Sequence, residues 1–192
     1  MPKSVVITKE RILDTAFLLA RKKGMSGVSN REIAKKLNSS IRPIYYQFKN
    51  SEELNKELIS KIEHYFFDYI FNFGSGKVSY KDAGTRYISF ARNEKNLYKI
   101  LFMSECNMFC DEFVKSDEYN FSKLQDLVKI STKLDNDGAF DFHMKMWIFT
   151  HGIATLVATD TINFSDEDIS NLLTSQYKAL MKLEGESKKW LK

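Results

Sequence analysis

Proline stops at residue 43. The 149 residues that follow contain none, so no obligate helix breaker interrupts more than three quarters of the chain. Glycine is equally sparse, 8 of 192 residues, or about 4% against a usual share of about 7%. Sandwiches and barrels need many turn residues, and this chain does not supply them. With 43% apolar and 28% charged residues, it can bury a real core. The expected class is all-α.

Other classes fall away on local grounds. The opening MPKSVVITKERIL has no apolar run and no small-residue cleavage signal, so no signal peptide is expected. The most apolar stretch, Met144 to Ala158, is short for a bilayer and carries Lys145, Thr150 and His151, so no membrane partner is expected. Cys106 and Cys110 are the only cysteines; two residues four apart build no disulfide framework, and a reducing cytoplasm is the expected compartment. Glu105 and Asp111 beside them disfavour a thiolate sensor. Three histidines without a tight Cys/His cluster suggest neither a zinc site nor any other cofactor. No nucleophile–base–acid spacing or glycine-rich phosphate loop is visible. An enzyme using His64, His143 or His151 is the alternative reading, together with a DNA-binding protein that lacks ligand control.

Charge is unevenly placed. Residues 1–50 hold eleven Lys/Arg and three acids, a net of +8, and residues 51–192 carry a net of −4. A basic end on a mildly acidic body suggests a polyanion-binding module joined to something else.

Helical periodicity runs nearly throughout. The first helix follows Thr8, with Ile12, Leu13, Ala16, Phe17 and Ala20 as its apolar stripe, and ends at Gly24 and Gly27 after Arg21-Lys22-Lys23. Ser29-Asn30-Arg31-Glu32 reads as a capping box opening a second, short helix through Ile33, Ala34 and Leu37. A turn at Asn38-Ser39-Ser40 leads to a third short helix through Ile44, Tyr45 and Phe48. Asn50-Ser51-Glu52-Glu53 caps a fourth, whose stripe is Leu54, Leu58, Ile62, Tyr65, Phe66, Tyr69 and Phe73. Later helices are expected at Tyr80 to Asn93, Leu97 to Phe109, within Asp111 to Asp137, at Phe140 to Thr161 and from Ser165 onward. The segment from Phe140 is apolar nearly all round, so one copy of the chain is expected to cover one side and a second copy the other.

Two short helices joined by a tight turn inside a basic three-helix unit describe a helix-turn-helix. Its second helix must project to enter a major groove about 12 Å wide. Arg31, Lys35 and Lys36 lie on the second helix, Arg42 opens the third, and Tyr45, Tyr46 and Lys49 follow. Tyr45 and Phe48 read as the core packers of that group, with Tyr45 also open to a DNA contact; Arg42 and Tyr46 read as contacts, and Lys35 and Lys36 as solvated residues.

At these positions the sequence resembles the TetR family of transcriptional repressors. The resemblance rests on Arg31-Glu32-Ile33-Ala34, Ser39-Ser40 and the run from Ile44 through Tyr45-Tyr46-Gln47-Phe48-Lys49 to Leu54, and covers about residues 7–67. Tyr87 to Phe102 and Trp147-x-x-x-His151-Gly152 further resemble the carboxyl-terminal domain of a subgroup named for its Trp-His-Gly signature.

The resemblance implies an N-terminal arm (1–6), a helix-turn-helix DNA-binding domain (7–67) and a ligand-binding and dimerisation domain (68–192). It implies a homodimer through the last two helices on pseudo-palindromic double-stranded operator DNA. Repression would be relieved by a small apolar or aromatic effector. Ser29, Asn30 and Arg31 are then expected at the DNA backbone, Ser40, Ile41, Arg42 and Pro43 at bases or adjacent phosphates, Tyr45 at a base edge, thymine methyl or backbone, and Tyr46 and Lys49 at phosphates. Pro43 stands where the family often has a smaller residue. It disfavours the α region at Arg42, so a recognition helix starting one residue late is expected. The expected effector contacts are Tyr65, Tyr69, Phe90, Phe102, Met103, Cys106, Trp147 and His151. Gly152 is expected at a close helix–helix contact.

Overall fold

The computed structural model describes residues 7–72, 77–103 and 118–190. Among them every regular element is helical: α1 (Lys9–Lys23), a single 3-10 turn (Met25–Gly27), α2 (Asn30–Lys36), α3 (Arg42–Gln47), α4 (Ser51–Phe71), α5 (Tyr80–Asn93), α6 (Lys95–Phe102), α7 (Glu118–Thr132), α8 (Asn136–Ala158) and α9 (Asp166–Trp190). The chain divides into two compact units, one of Met1–Phe66 with Glu94–Cys106, the other of Phe67–Asn93 with Asn107–Lys192. The division falls within α4. Phe73, Cys106, Phe109 and Cys110 lie outside the described residues.

In the first unit, α1 begins at Thr8, whose hydroxyl accepts from the Arg11 amide. Its buried stripe is Ile12, Thr15, Ala16, Leu19 and Ala20. Leu13 and Phe17, expected inside, are only half-buried. The 3.6-residue period carries the inward face through 12, 15–16 and 19–20, which leaves 13 and 17 at its edge. Thr15 is accommodated because its hydroxyl donates to the Arg11 carbonyl at 2.7 Å. Gly24 ends the helix at φ +72°, a conformation that glycine adopts without a Cβ clash, and its amide reaches the Ala20 carbonyl at 2.8 Å. Ser29 caps α2 by accepting from the Glu32 amide, and Ile33 and Ala34 are buried.

A short helix, α6, packs on α1 in this unit. Glu94, just before it, is buried, and its carboxylate receives the Arg21 guanidinium through two hydrogen bonds and the Tyr65 hydroxyl at 3.0 Å. Asn96 donates to the Arg21 carbonyl at 2.9 Å. A buried carboxylate needs such partners; removing them leaves a charge out of water. The node therefore ties the carboxyl end of α1 to α4 and α6.

In the second unit, α5 and α8 form the main packing pair, with α7 and α9 against them. From α5, Ala83, Tyr87, Ile88, Phe90 and Ala91 are buried. From α8, the buried face includes Phe142, His143, Met146, Thr150, Ile153, Ala154 and Val157. Ile169, Leu173 and Leu180 are the buried residues of α9. Gly84 lets α9 approach, since a Cβ there would stand 3.5 Å from Leu173. Within one copy of the chain Gly152 has no helix neighbour: a Cβ there would meet nothing within 4 Å. It lies on the outer face of α8, beside Ile148 with 62% of its surface exposed. The chain thus covers one side of this apolar helix.

Candidate nucleic-acid interface

The shape of the site follows from two side chains. Ile44 and Phe48, four residues apart on α3 and just past it, are 1% and 2% exposed. Their burial turns the rest of α3 outward. Tyr45 is 56% and Tyr46 84% exposed, and Arg42 and Gln47 are exposed with them. Tyr45 is therefore not a core packer. It sits about 100° round the helix from Ile44, and adjacent positions do not share the anchored face as positions three and four apart do. Phe48 is the core residue expected.

Backbone geometry holds this arrangement. Asn38 takes φ +51° in the turn between α2 and α3, a conformation asparagine tolerates. The Ser39 amide reaches the Ala34 carbonyl at 3.0 Å. The helix α3 begins at Arg42, with Pro43 in its first turn, so the late start expected from Pro43 does not occur. Proline lacks an amide that the first turn leaves unpaired anyway, and its fixed φ suits the helix. At the other end, Asn50 accepts from the Glu53 amide at 2.8 Å while the Glu53 carboxylate accepts from the Lys49 amide at 2.7 Å. This reciprocal cap starts α4 directly after the exposed Lys49.

The expected contact residues fall on one unit. Ser29, Arg31, Ser40, Ile41, Arg42, Tyr45, Tyr46 and Lys49 are exposed, while Asn30 and Pro43 are half-buried. Lys35 and Lys36 are exposed on α2. Gln47 was not among the residues singled out from the sequence; its polarity, one residue before the buried Phe48, was the available signal.

The expected effector residues do not fall in one unit. Tyr65, Phe102 and Met103 belong to the first unit, and Tyr69, Phe90, Trp147 and His151 to the second. In the second, Tyr69 meets Phe90 edge-on at 5.3 Å, and its hydroxyl bonds Ser89 at 3.1 Å and Asn93 at 3.0 Å. Trp147 stacks on His151 at 5.1 Å.

Two tyrosine–histidine pairs join α5 to α8. The Tyr80 hydroxyl is 3.0 Å from His143 Nδ1, and the Tyr87 hydroxyl 2.9 Å from His151 Nδ1. Burial pushes the His143 imidazole down to about 4 and lowers His151 as well, while burial raises Tyr80. Burial thus favours the neutral imidazole in both pairs and the protonated phenol at Tyr80. The signal in the sequence was a spacing: tyrosines seven apart and histidines eight apart, about two helical turns each. Among the described residues, no group of three or more His, Cys, Asp or Glu side chains could hold a metal ion. No described helix is long and apolar enough to cross a membrane.

Comparison with known proteins agrees with this geometry. The family described as "Bacterial regulatory proteins, tetR family" matches residues 12–58, from the first buried residue of α1 into α4. The "Probable HTH-type transcriptional regulator YttP" of Bacillus subtilis is 41% identical over 56 residues, 29% of this chain and 27% of that protein. The "Biofilm operon icaADBC HTH-type negative transcriptional regulator IcaR" of Staphylococcus epidermidis is 31% identical over 62 residues, 32% of this chain and 34% of that protein. The chain therefore matches about a third or less of the length of these two relatives. A crystal structure of a TetR-like transcriptional regulator from Rhodococcus sp. RHA1 superposes with a TM-score of 0.63 at 19% identity, covering 92% of this chain and 96% of that one, which is a likeness of fold. Residues 12–58 match the tetR family of bacterial regulatory proteins, and the chain as a whole has a TetR-like fold.

Proposed function

We propose that this chain is a homodimeric, sequence-specific regulator of transcription that represses from a pseudo-palindromic operator and is released by a small apolar or aromatic effector. The observation that carries the reading is the outward face of α3, where Arg42, Tyr45 and Tyr46 stand exposed on the buried Ile44 and Phe48. A helix held by one face and free on the other can enter a major groove. Repression as the sense of control draws on the printed name of the staphylococcal relative, a negative regulator.

The DNA-binding domain is assigned to 7–67, preceded by an arm at 1–6, and effector binding and dimerisation to 68–192. That last range includes α6, whose packing lies in the first unit. Ser29, Asn30 and Arg31 serve the backbone, Ser40, Ile41, Arg42, Pro43 and Tyr45 the groove, and Tyr46 and Lys49 the phosphates. Dimerisation uses the outer faces of α8 and α9, supported by exposed Ile148, Gly152 and Leu183. Effector binding is assigned to the aromatic interior of the second unit, around Tyr69, Phe90, Trp147 and His151. The Trp147–His151 stack and the Tyr87–His151 bond support membership of the Trp-His-Gly subgroup. A cytoplasmic location follows from the proposed task.

The test is equilibrium binding of the full chain to duplexes enriched from a random pool, repeated during a screen of small aromatic metabolites. An effector that shifts the dimer between two shapes lowers affinity about 5–150-fold, for a coupling of about 1–3 kcal/mol, and bound duplex weakens the effector by the same factor. Failure to enrich any duplex overturns DNA recognition. Enrichment with no metabolite response across the screen favours ligand-independent binding.

A further inference from the structure

Two carboxylates in the first two turns of α4 act on the corner where α3 ends. Glu53 and Glu57 are four apart and share one side of α4. The Glu53 carboxylate holds the Lys49 amide at 2.7 Å. The Glu57 carboxylate binds the Lys9 ammonium of α1, and that same ammonium stands 5.1 Å from the centre of the Phe48 ring, within reach of a cation–π contact. One side chain of α1 therefore bridges the last turn of α3 and the second turn of α4.

The corner matters because α3 has only six residues, fewer than two turns, and a helix so short does not hold itself. Side chains set its direction, and a recognition surface must be kept within about 0.5 Å and 10–20° of its productive geometry. Phe48 is one of the two buried anchors, and its backbone has already left the helix at φ −134° and ψ 131°. What seats its ring thus fixes where α3 points. Lys9 is one of eleven basic residues in a stretch of net charge +8, but a carboxylate already matches its charge. We propose that Lys9, held by Glu57, is a positioning residue for DNA recognition: it aims α3 through Phe48 and does not itself neutralise a phosphate. This rests on the DNA-binding reading above and adds what directs the helix.

The test compares the full chain with Lys9→Met, Lys9→Arg and Glu57→Gln on a duplex enriched from a random pool and on a scrambled one, over a salt series. Methionine keeps the apolar stem without the charge, and arginine keeps both the charge and the ring contact. Lys9→Met is expected to lower the ratio of the two affinities about two- to fivefold per half-site, the worth of about 0.5–1 kcal/mol for a partly exposed cation–π contact, with the parental salt slope. Lys9→Arg is expected to restore the ratio. Glu57→Gln gives an independent route should Lys9→Met fail to fold. Losing a negative charge tightens both duplexes alike if charge alone matters, whereas a positioning role lowers the ratio. A ratio that stays parental in every variant that folds overturns the inference, even if the thermal transition moves. So does a Lys9→Met variant that weakens both duplexes equally and whose salt slope falls by about 0.9 per lost phosphate. Either result leaves DNA recognition standing, since the parent chain still selects its duplex. If the parent enriches none, both readings fall together.

Discussion

Tyrosine marks both units, and the two uses are opposite. Tyr45 and Tyr46 stand on α3 with most of their surface in solvent, beside Arg42 and Lys49. Tyr80 and Tyr87 line α5 against α8, each with its hydroxyl on a histidine ring nitrogen. Residue type does not separate these cases. The anchor does: Ile44 and Phe48 fix which side of α3 faces inward, and the apolar faces of α5 and α8 leave room inside only for a polar group that finds a partner. The first pair is left available for a ligand, and the second is already satisfied.

Substitutions can break that contrast. Ile44→Ala removes the anchor, and the lost burial with its cavity is expected to cost about 2–5 kcal/mol of folding stability. Urea denaturation reads this directly, and a loss below about 0.5 kcal/mol would mean that α3 is not held by this residue.

The histidine pairs give the second unit a pH signature. His143 is held at about 4 against an ordinary value of 6.5, so the unfolded chain binds a proton in that window that the folded chain refuses. Stability is fully present above about 6.5 and falls as pH drops toward about 4, by about 1.4 kcal/mol per unit once the unfolded imidazole is protonated. His151, lowered by the same cause, adds in the same direction. Denaturation midpoints between pH 7 and pH 5 measure the slope, and His143→Gln should flatten it relative to the parent.

On the exposed side the expected effects move from stability to binding. Arg42→Ala is expected to weaken an enriched duplex by about 1–3 kcal/mol, the range for a bidentate base contact, and to leave the thermal transition in place. Tyr46→Phe is the finest probe. It should change stability by less than about 0.5 kcal/mol, as surface substitutions do, while lowering DNA affinity by about 0.5–1.5 kcal/mol for one lost hydrogen bond. Anisotropy titrations at fixed salt check both.

Much of this was legible in the chain itself. The absence of proline after residue 43 gave the class. Caps at Thr8, Ser29 and Asn50 mark helix starts that the structure keeps, because each supplies a side-chain acceptor for an otherwise unpaired amide. The sequence does not fix the inward positions on α1 at Leu13 and Phe17, since two adjacent apolar residues at each turn leave the centre of the stripe undetermined until a partner surface exists. Tyr45 is ambiguous in the sequence for a related reason: beside Ile44, an aromatic residue reads as core, and only the anchored geometry shows it exposed. The Glu94 node was not legible at all. Its members, Arg21, Tyr65 and Glu94, are far apart in sequence, and nothing local marks a carboxylate that will be buried.

The most direct test of the proposed role is a hydroxyl-radical footprint of the full chain on an enriched duplex. Two protected patches are expected, their centres about 34–36 Å or a multiple of that apart, one for each recognition helix of a symmetric pair. Both should fade together in Arg42→Ala. A single patch, protection without regular spacing, or a footprint indifferent to Arg42 would contradict a paired helix-turn-helix led by α3.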